Sequence, residues 1–200
     1  MNRIPSRELF AKACELYTDW NSKINVISRK DVDCLYEHHI LHSLAILEYL
    51  QRKGEALEGL KILDVGTGGG FPGIPLAMMM PESKFTLCDS IGKKIKVASS
   101  VAEGLGLGNV ECVNARAESL PDTYDWIVSR AVTSLDNFYP WVKGKFTKGI
   151  LYLKGGDVLE EISTMCAHHK VDPKKISVWP INDWLEDEYF AEKFVIEIRK

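Results

Sequence analysis

Five glycines, Gly66, Gly68, Gly69, Gly70 and Gly73, fall within eight residues of the 200-residue chain, directly after the apolar run 60–65 and before a helical pattern over 75–80. Glycine at a strand-to-helix junction permits the positive φ of a tight turn and lets the backbone approach a ligand closely. No Gly-Lys-Ser/Thr follows, so a P-loop is excluded. Gly68-Gly-Gly-Phe-Pro-Gly73 formally fits the G-x-G-x-x-G of dinucleotide sites. Two features oppose that reading. Pro72 and Pro75 remove N–H donors from the turn that would cradle a pyrophosphate. Asp64 places negative charge at the strand tip, wrong for a pyrophosphate but suited to a ligand with an ammonium and a sulfonium. S-adenosylmethionine is such a ligand.

Asp89 ends a second apolar run, where a carboxylate either accepts hydrogen bonds from ribose hydroxyls or caps the next helix. The first role supports an adenosine ligand without choosing between NAD and S-adenosylmethionine. Ala117 and Glu118 follow a third run, where an adenine ring would lie; Glu118 is otherwise a plain surface acid. Arg130, just past a fourth run, is placed for a charge-assisted contact to a cofactor carboxylate or an RNA phosphate. His38, His39 and His42 crowd together without a cysteine cluster, which points to RNA contact or helix packing; no metal is expected. Three groups of cations, Arg29 and Lys30, then Lys93, Lys94 and Lys96, then Lys143, Lys145 and Lys148, form an RNA-binding rim if they converge and solvated faces if they do not. Trp20 and Trp126 continue apolar patterns and read as core rather than as base-stacking platforms.

The elements that must position these residues follow from periodicity. Ser6 caps a helix with Leu9, Phe10, Ala13, Leu16, Tyr17 and Trp20 at helical spacing; residues 21–28 break it, Asp31 starts a second helical stretch, and residues 41–50 form a third. Strands are predicted at 60–65, 84–89, 109–113, 124–129, 149–153, 175–179 and 194–198, with helices at 75–80, 93–105, 135–146 and 158–169 between them. The fold class is therefore α/β: a Rossmann-like, mostly parallel seven-stranded sheet with helices on both faces. A helical N-terminal segment, 1–58, is expected to pack on the main domain, 59–200, as one compact unit. Net charge is −3, so a nucleic-acid partner would need a local basic face. Five scattered cysteines without a C-x-x-C pair argue against disulfides and structural zinc. With no signal peptide and no membrane-length apolar run, a cytoplasmic monomer is expected.

The stretch Leu63-Asp-Val-Gly-Thr-Gly-Gly-Gly-Phe-Pro-Gly-Ile-Pro-Leu-Ala77 closely resembles the signature of the ribosomal small-subunit RNA methyltransferase G family, also called glucose-inhibited division protein B. Trp20-Asn-Ser-Lys-Ile-Asn-Val-Ile-Ser28, Leu87-Cys-Asp-Ser-Ile-Gly-Lys-Lys94, Val128-Ser-Arg-Ala-Val-Thr-Ser-Leu135 and Leu153-Lys-Gly155 agree in order and spacing, so the resemblance spans nearly the whole chain. It implies S-adenosylmethionine-dependent methylation of the 7-position nitrogen of a guanosine in 16S ribosomal RNA near the decoding region, with that RNA or the small ribosomal subunit as partner. It also implies that Gly66 and Phe71 contact the cofactor, that Ala117 and Glu118 meet its adenine end, and that Arg130 lines the site. Gly68 and Asp89 fit the general methyltransferase pattern. His42 stands where many relatives carry aspartate, so that residue's role does not transfer. The target nitrogen has a free lone pair, so no general base and no catalytic acid are expected. The competing readings are a small-molecule or protein methyltransferase on the same fold, and a non-catalytic adenosine-ligand or RNA-binding module.

Overall fold

The computed structural model describes residues 7–28 and 31–200. Ser6, Arg29 and Lys30 lie outside the described residues. Four parallel strands carry the site: β1 (Lys61–Val65), β2 (Lys84–Asp89), β3 (Val110–Asn114) and β4 (Tyr124–Arg130). Then come β5 (Phe146–Gly155), β6 (Ile176–Pro180) and β7 (Lys193–Arg199), giving a seven-stranded sheet in the order β3-β2-β1-β4-β5-β7-β6. β7 alone points against the other six strands, pairing antiparallel with β5 on one side and β6 on the other. The order reverses between β1 and β4, which is where ligands bind in open parallel sheets.

Parallel strands buried on both faces read as apolar runs, and β1 does apart from Asp64: everything after Lys61 is buried. Successive residues then feed different cores. Ile62, Trp126 and Leu151 join a core with α1 (Arg7–Lys23), α2 (His42–Arg52), α3 (Gly73–Met79) and α4 (Gly92–Leu105). Leu63, Ile127 and Ile150 join the opposite core, with α5 (Leu135–Val142) and α6 (Val158–His169). The period of two along each strand thus builds a three-layer sandwich. Trp126 is fully buried and Trp20 packs on the first core.

Three local departures from the sequence expectation have physical causes. First, α1 runs on to Lys23, and Asn21 closes it: its Oδ1 accepts from the amides of Val26 and Ile27 at 2.8 and 2.9 Å, while its Nδ2 donates to the Ile27 carbonyl at 3.0 Å. Second, the stretch after Asp31 is a short 3-10 turn and a π-helical segment, Tyr36–Leu41, feeding directly into α2. Third, α5 stops at Val142 rather than 146, because Gly144 takes φ +84 and Phe146 already pairs with Tyr124 in the sheet. Among the described residues no helix is long and apolar enough to cross a membrane.

Candidate functional site

A cavity of about 510 Å³ opens beyond the carboxyl ends of β1, β2, β3 and β4. Gly66, Asp89, Ala117, Glu118 and Arg130 all line it, together with Lys94 of α4 and Trp141 of α5. Its volume falls within the roughly 300–1,000 Å³ of cofactor sites. A larger groove, about 1210 Å³, opens at the other end of the sheet beside Lys61, Lys84 and Asn109; it contains none of the glycine-turn residues. The strand-tip cavity is the one that the ligand rule for such sheets selects.

The floor of the cavity is the turn after β1. Gly66 takes φ +69, and a Cβ there would stand 2.4 Å from Val132 Cγ2, so both conformation and space require glycine. The amides of Gly66 and Thr67 donate to the Cys88 carbonyl at 2.8 and 3.1 Å, tying the turn to β2. Gly68 lies outside the cavity lining, but its amide donates to Asp89 Oδ2 at 3.0 Å. Asp89 Oδ1 accepts from the Ile91 amide at 2.8 Å, so this buried carboxylate holds both turns flanking the cavity. It has lone pairs left for ligand hydroxyls. Its ligand-facing and turn-holding roles are therefore compatible.

Asp64 departs from what its place at the strand tip implies. Its carboxylate is fully buried and turned into the protein, with Oδ2 accepting from Thr67 Oγ1 at 2.6 Å and the Gly73 amide at 2.8 Å. Burial pushes its carboxyl up to about 7, against the two hydrogen bonds and the charge of Arg130. Asp64 thus laces the glycine turn to α3 instead of offering charge to a ligand at the strand tip.

The opposite wall is cationic. Arg130 is partly buried and lies with its guanidinium 5.0 Å from the Phe71 ring centre. Its Nη2 stands 3.0 Å from His39 Nδ1, and its Nη1 donates to the His38 carbonyl at 3.5 Å. No carboxylate among the described residues forms an ion pair with it. Burial and the Arg130 charge push His39 down to about 4, so Nδ1 is the acceptor and the ring proton sits on Nε2. Phe71 is buried behind Arg130, stacked on Tyr17 at 4.5 Å, and does not line the cavity. In this structure it supports Arg130.

Ala117 is buried and Glu118 exposed on the 3-10 turn after β3, at the far wall from Arg130. The histidines divide. His42 is buried against Phe190, held neutral by desolvation, while His38 stacks on Tyr189 at 3.5 Å. Among the described residues there is no metal-binding group of three or more ligating side chains.

The two basic groups among the described residues do not converge. Lys94 reaches the cavity, but Lys143, Lys145 and Lys148 stand at the start of β5, the opposite end of the sheet. Lys148 is neutralised by Glu55 at 2.9 Å, and the Lys145 ammonium donates to the Leu120 carbonyl. Ile91, Val132 and Trp141 also wall the cavity, a role that the sequence motifs do not assign to them. Only Ile91, directly after the Asp89 turn, had a local signal; the other two arrive through the packing of β4 and α5.

An open sheet of this order, with a glycine turn after β1 and an acid at the tip of β2, is the architecture of Rossmann-like methyltransferases. Solved structures agree on the fold. A magnesium protoporphyrin IX methyltransferase from Synechocystis PCC 6803 matches with a TM-score of 0.66 at 16% identity, covering 98% of this chain and 93% of that one. A SAM-dependent methyltransferase from Aquifex aeolicus matches with a TM-score of 0.58 at 18% identity, covering 78% and 91%. The family model described as rRNA small subunit methyltransferase G matches residues 7–181. Two proteins named "Ribosomal RNA small subunit methyltransferase G" are close in sequence. That of Christiangramia forsetii is 52% identical over 94% of this chain and 87% of its own length. That of Cytophaga hutchinsonii is 47% identical over 94% and 90%. The chain belongs to the ribosomal RNA small subunit methyltransferase G family.

Proposed function

We propose that this chain transfers the methyl group of S-adenosylmethionine to the 7-position nitrogen of a guanosine in 16S ribosomal RNA, in the cytoplasm. The observation that carries the donor is the strand-tip cavity with Asp89 at one wall and Arg130, with no carboxylate ion-paired to it among the described residues, at the other. The residues fit the cofactor. Asp89 would hold ribose hydroxyls, the turn around Ala117 would border the adenine, and Arg130 would take the amino-acid carboxylate through charge-assisted hydrogen bonds. Gly66 allows close approach, and Gly68 and Phe71 act from behind by fixing Asp89 and Arg130. When bound, S-adenosylmethionine supplies an electrophilic methyl group on sulfur.

The nucleophile brings its own lone pair, so the protein has no proton to remove before attack. Its contribution is alignment and exclusion of water. His39 is consistent with this: an imidazole held neutral down to about 4, with Nδ1 engaged by Arg130, steadies a cation and is not a base poised near neutrality. The substrate assignment rests on membership of the family. Incubation with labelled S-adenosylmethionine and small ribosomal subunits, free nucleosides or protein tests it. Label at a guanine 7-position in the 16S RNA is expected; label in protein or nucleosides alone would replace this reading with one of the alternatives.

A further inference from the structure

We infer that Tyr152 is a positioning residue for methyl transfer: its hydroxyl holds the loop after β4 in the shape that sets Val132 against the glycine turn at the cavity. This rests on the methyltransferase reading above. Tyr152 is fully buried on β5, and neither its type nor its place in the strand suggests a link to the site. Its hydroxyl nevertheless accepts from the amides of Val132 and Thr133 at 3.0 and 3.1 Å and donates to the Thr133 carbonyl at 2.9 Å.

The surroundings reinforce that hold. Lys154 Nζ donates to the same Thr133 carbonyl at 3.0 Å and pairs with Glu161 at 2.8 Å. Glu161 in turn accepts from the Leu135 amide at 3.1 Å. The residue that starts the loop, Ala131, takes φ +47, which an alanine adopts only when its surroundings impose it. Its amide is fixed to the Leu153 carbonyl at 3.0 Å. A short loop with strained backbone at its start and side chains from β5 and α6 satisfying its amides is over-determined, and such strain concentrates at functional sites.

The beneficiary is Val132. It is 36% exposed, an apolar side chain left open to solvent, and its Cγ2 occupies the space a side chain at Gly66 would need. It lines the cavity two residues after Arg130, which lines it too. Val132 therefore gives the cavity an apolar wall on the β4 side, a surface that suits a flat acceptor ring. A shift of about 1 Å in such a wall is enough to cost methyl transfer roughly a hundredfold.

Tyr152→Phe keeps the ring in the core and deletes only the hydroxyl. The amides of Val132 and Thr133 are expected to lose hydrogen-exchange protection, with affinity for S-adenosylhomocysteine within about threefold of wild type. Turnover on small ribosomal subunits, counted per S-adenosylhomocysteine-binding site, is expected to fall at least about tenfold. A purely structural tyrosine would lower the melting temperature and the number of binding sites while leaving turnover per site unchanged. Turnover per site within about threefold of wild type, or amides that stay protected, overturns the inference. If Tyr152→Phe yields no folded protein, Val132→Ala, at an exposed position with the Tyr152 bonds intact, carries the same test: a tenfold fall is expected, and turnover within threefold overturns it. Wild-type protein that methylates no small subunit would sink the substrate reading instead, and the exchange result still decides the role of Tyr152 in holding the loop.

Discussion

Replacing Asp64 with asparagine isolates the energy of a buried acid. In the folded chain Oδ2 carries both hydrogen bonds, from Thr67 and Gly73, while Oδ1 has no partner among the described residues. An asparagine with its carbonyl in the Oδ2 position keeps both bonds and puts an amide nitrogen where nothing was bonded. What it removes is ionisation. Burial raises the carboxyl from 3.8 to about 7, so between those values the folded state holds a proton that the unfolded chain has lost. More protons bound in the folded state means stability falls as pH rises through that window, then levels off above it. At about 1.4 kcal/mol for each pH unit inside the window, wild type should lose roughly 3 kcal/mol relative to Asp64→Asn between pH 5 and 8. Urea unfolding of both proteins across that range, with m-values compared, reads the difference directly. A gap that stays constant within about 0.5 kcal/mol from pH 5 to 8 would refute the reasoning, because only an ionisation restricted to the unfolded chain produces the trend.

Gly66→Ala should abolish S-adenosylhomocysteine binding by calorimetry, since its Cβ meets Val132 at 2.4 Å on a backbone of φ +69; binding within about tenfold of wild type would show that the turn can yield. Arg130→Met should weaken the same ligand by about ten- to a hundredfold while leaving adenosine binding little changed, as expected for loss of a charge-assisted contact to a carboxylate. With His39 titrating at about 4, wild-type turnover should show no ionisation of that imidazole between about pH 6 and 8, and a bell-shaped profile near neutrality that vanishes in His39→Gln would contradict the assignment. Tyr17→Phe removes a buried hydroxyl that has no hydrogen-bond partner among the described residues, so the melting temperature should hold or rise.

The strands were legible in the sequence because parallel strands announce themselves as apolar runs: Leu63, Leu87, Ile127 and Leu151 all lie in such runs and all are buried. The glycine turn was legible because Gly66 is demanded locally, by φ and by the neighbouring chain. What stayed hidden depends on direction or on distant chain. Asp64 was visible at a strand tip, but a sequence does not say whether a carboxylate faces the ligand or the Gly73 amide. Lys148 reads as part of a rim in the sequence, yet it stands at the start of β5, at the far end of the sheet from the cavity, where Glu55 meets it. The Tyr152 link to Val132 spans 20 positions and has no periodic signature.

The place of β7 has a consequence for synthesis. It slots between β5 and β6, yet it is the last strand made, and it carries Glu197 and Arg199 to Tyr49 and Glu55 near the other end of the chain. Until β7 is made, β5 has no β7 beside it, although its Ile150, Leu151, Tyr152 and Leu153 are all buried in the finished fold. The cavity residues from Gly66 to Val132 are translated well before this edge is covered. The ligand pocket can thus take shape on a half-finished sheet whose sticky flank is still open. Release of residues 193–199 is the event that closes it, and a ribosome paused just short of them would expose a pairing edge to aggregation.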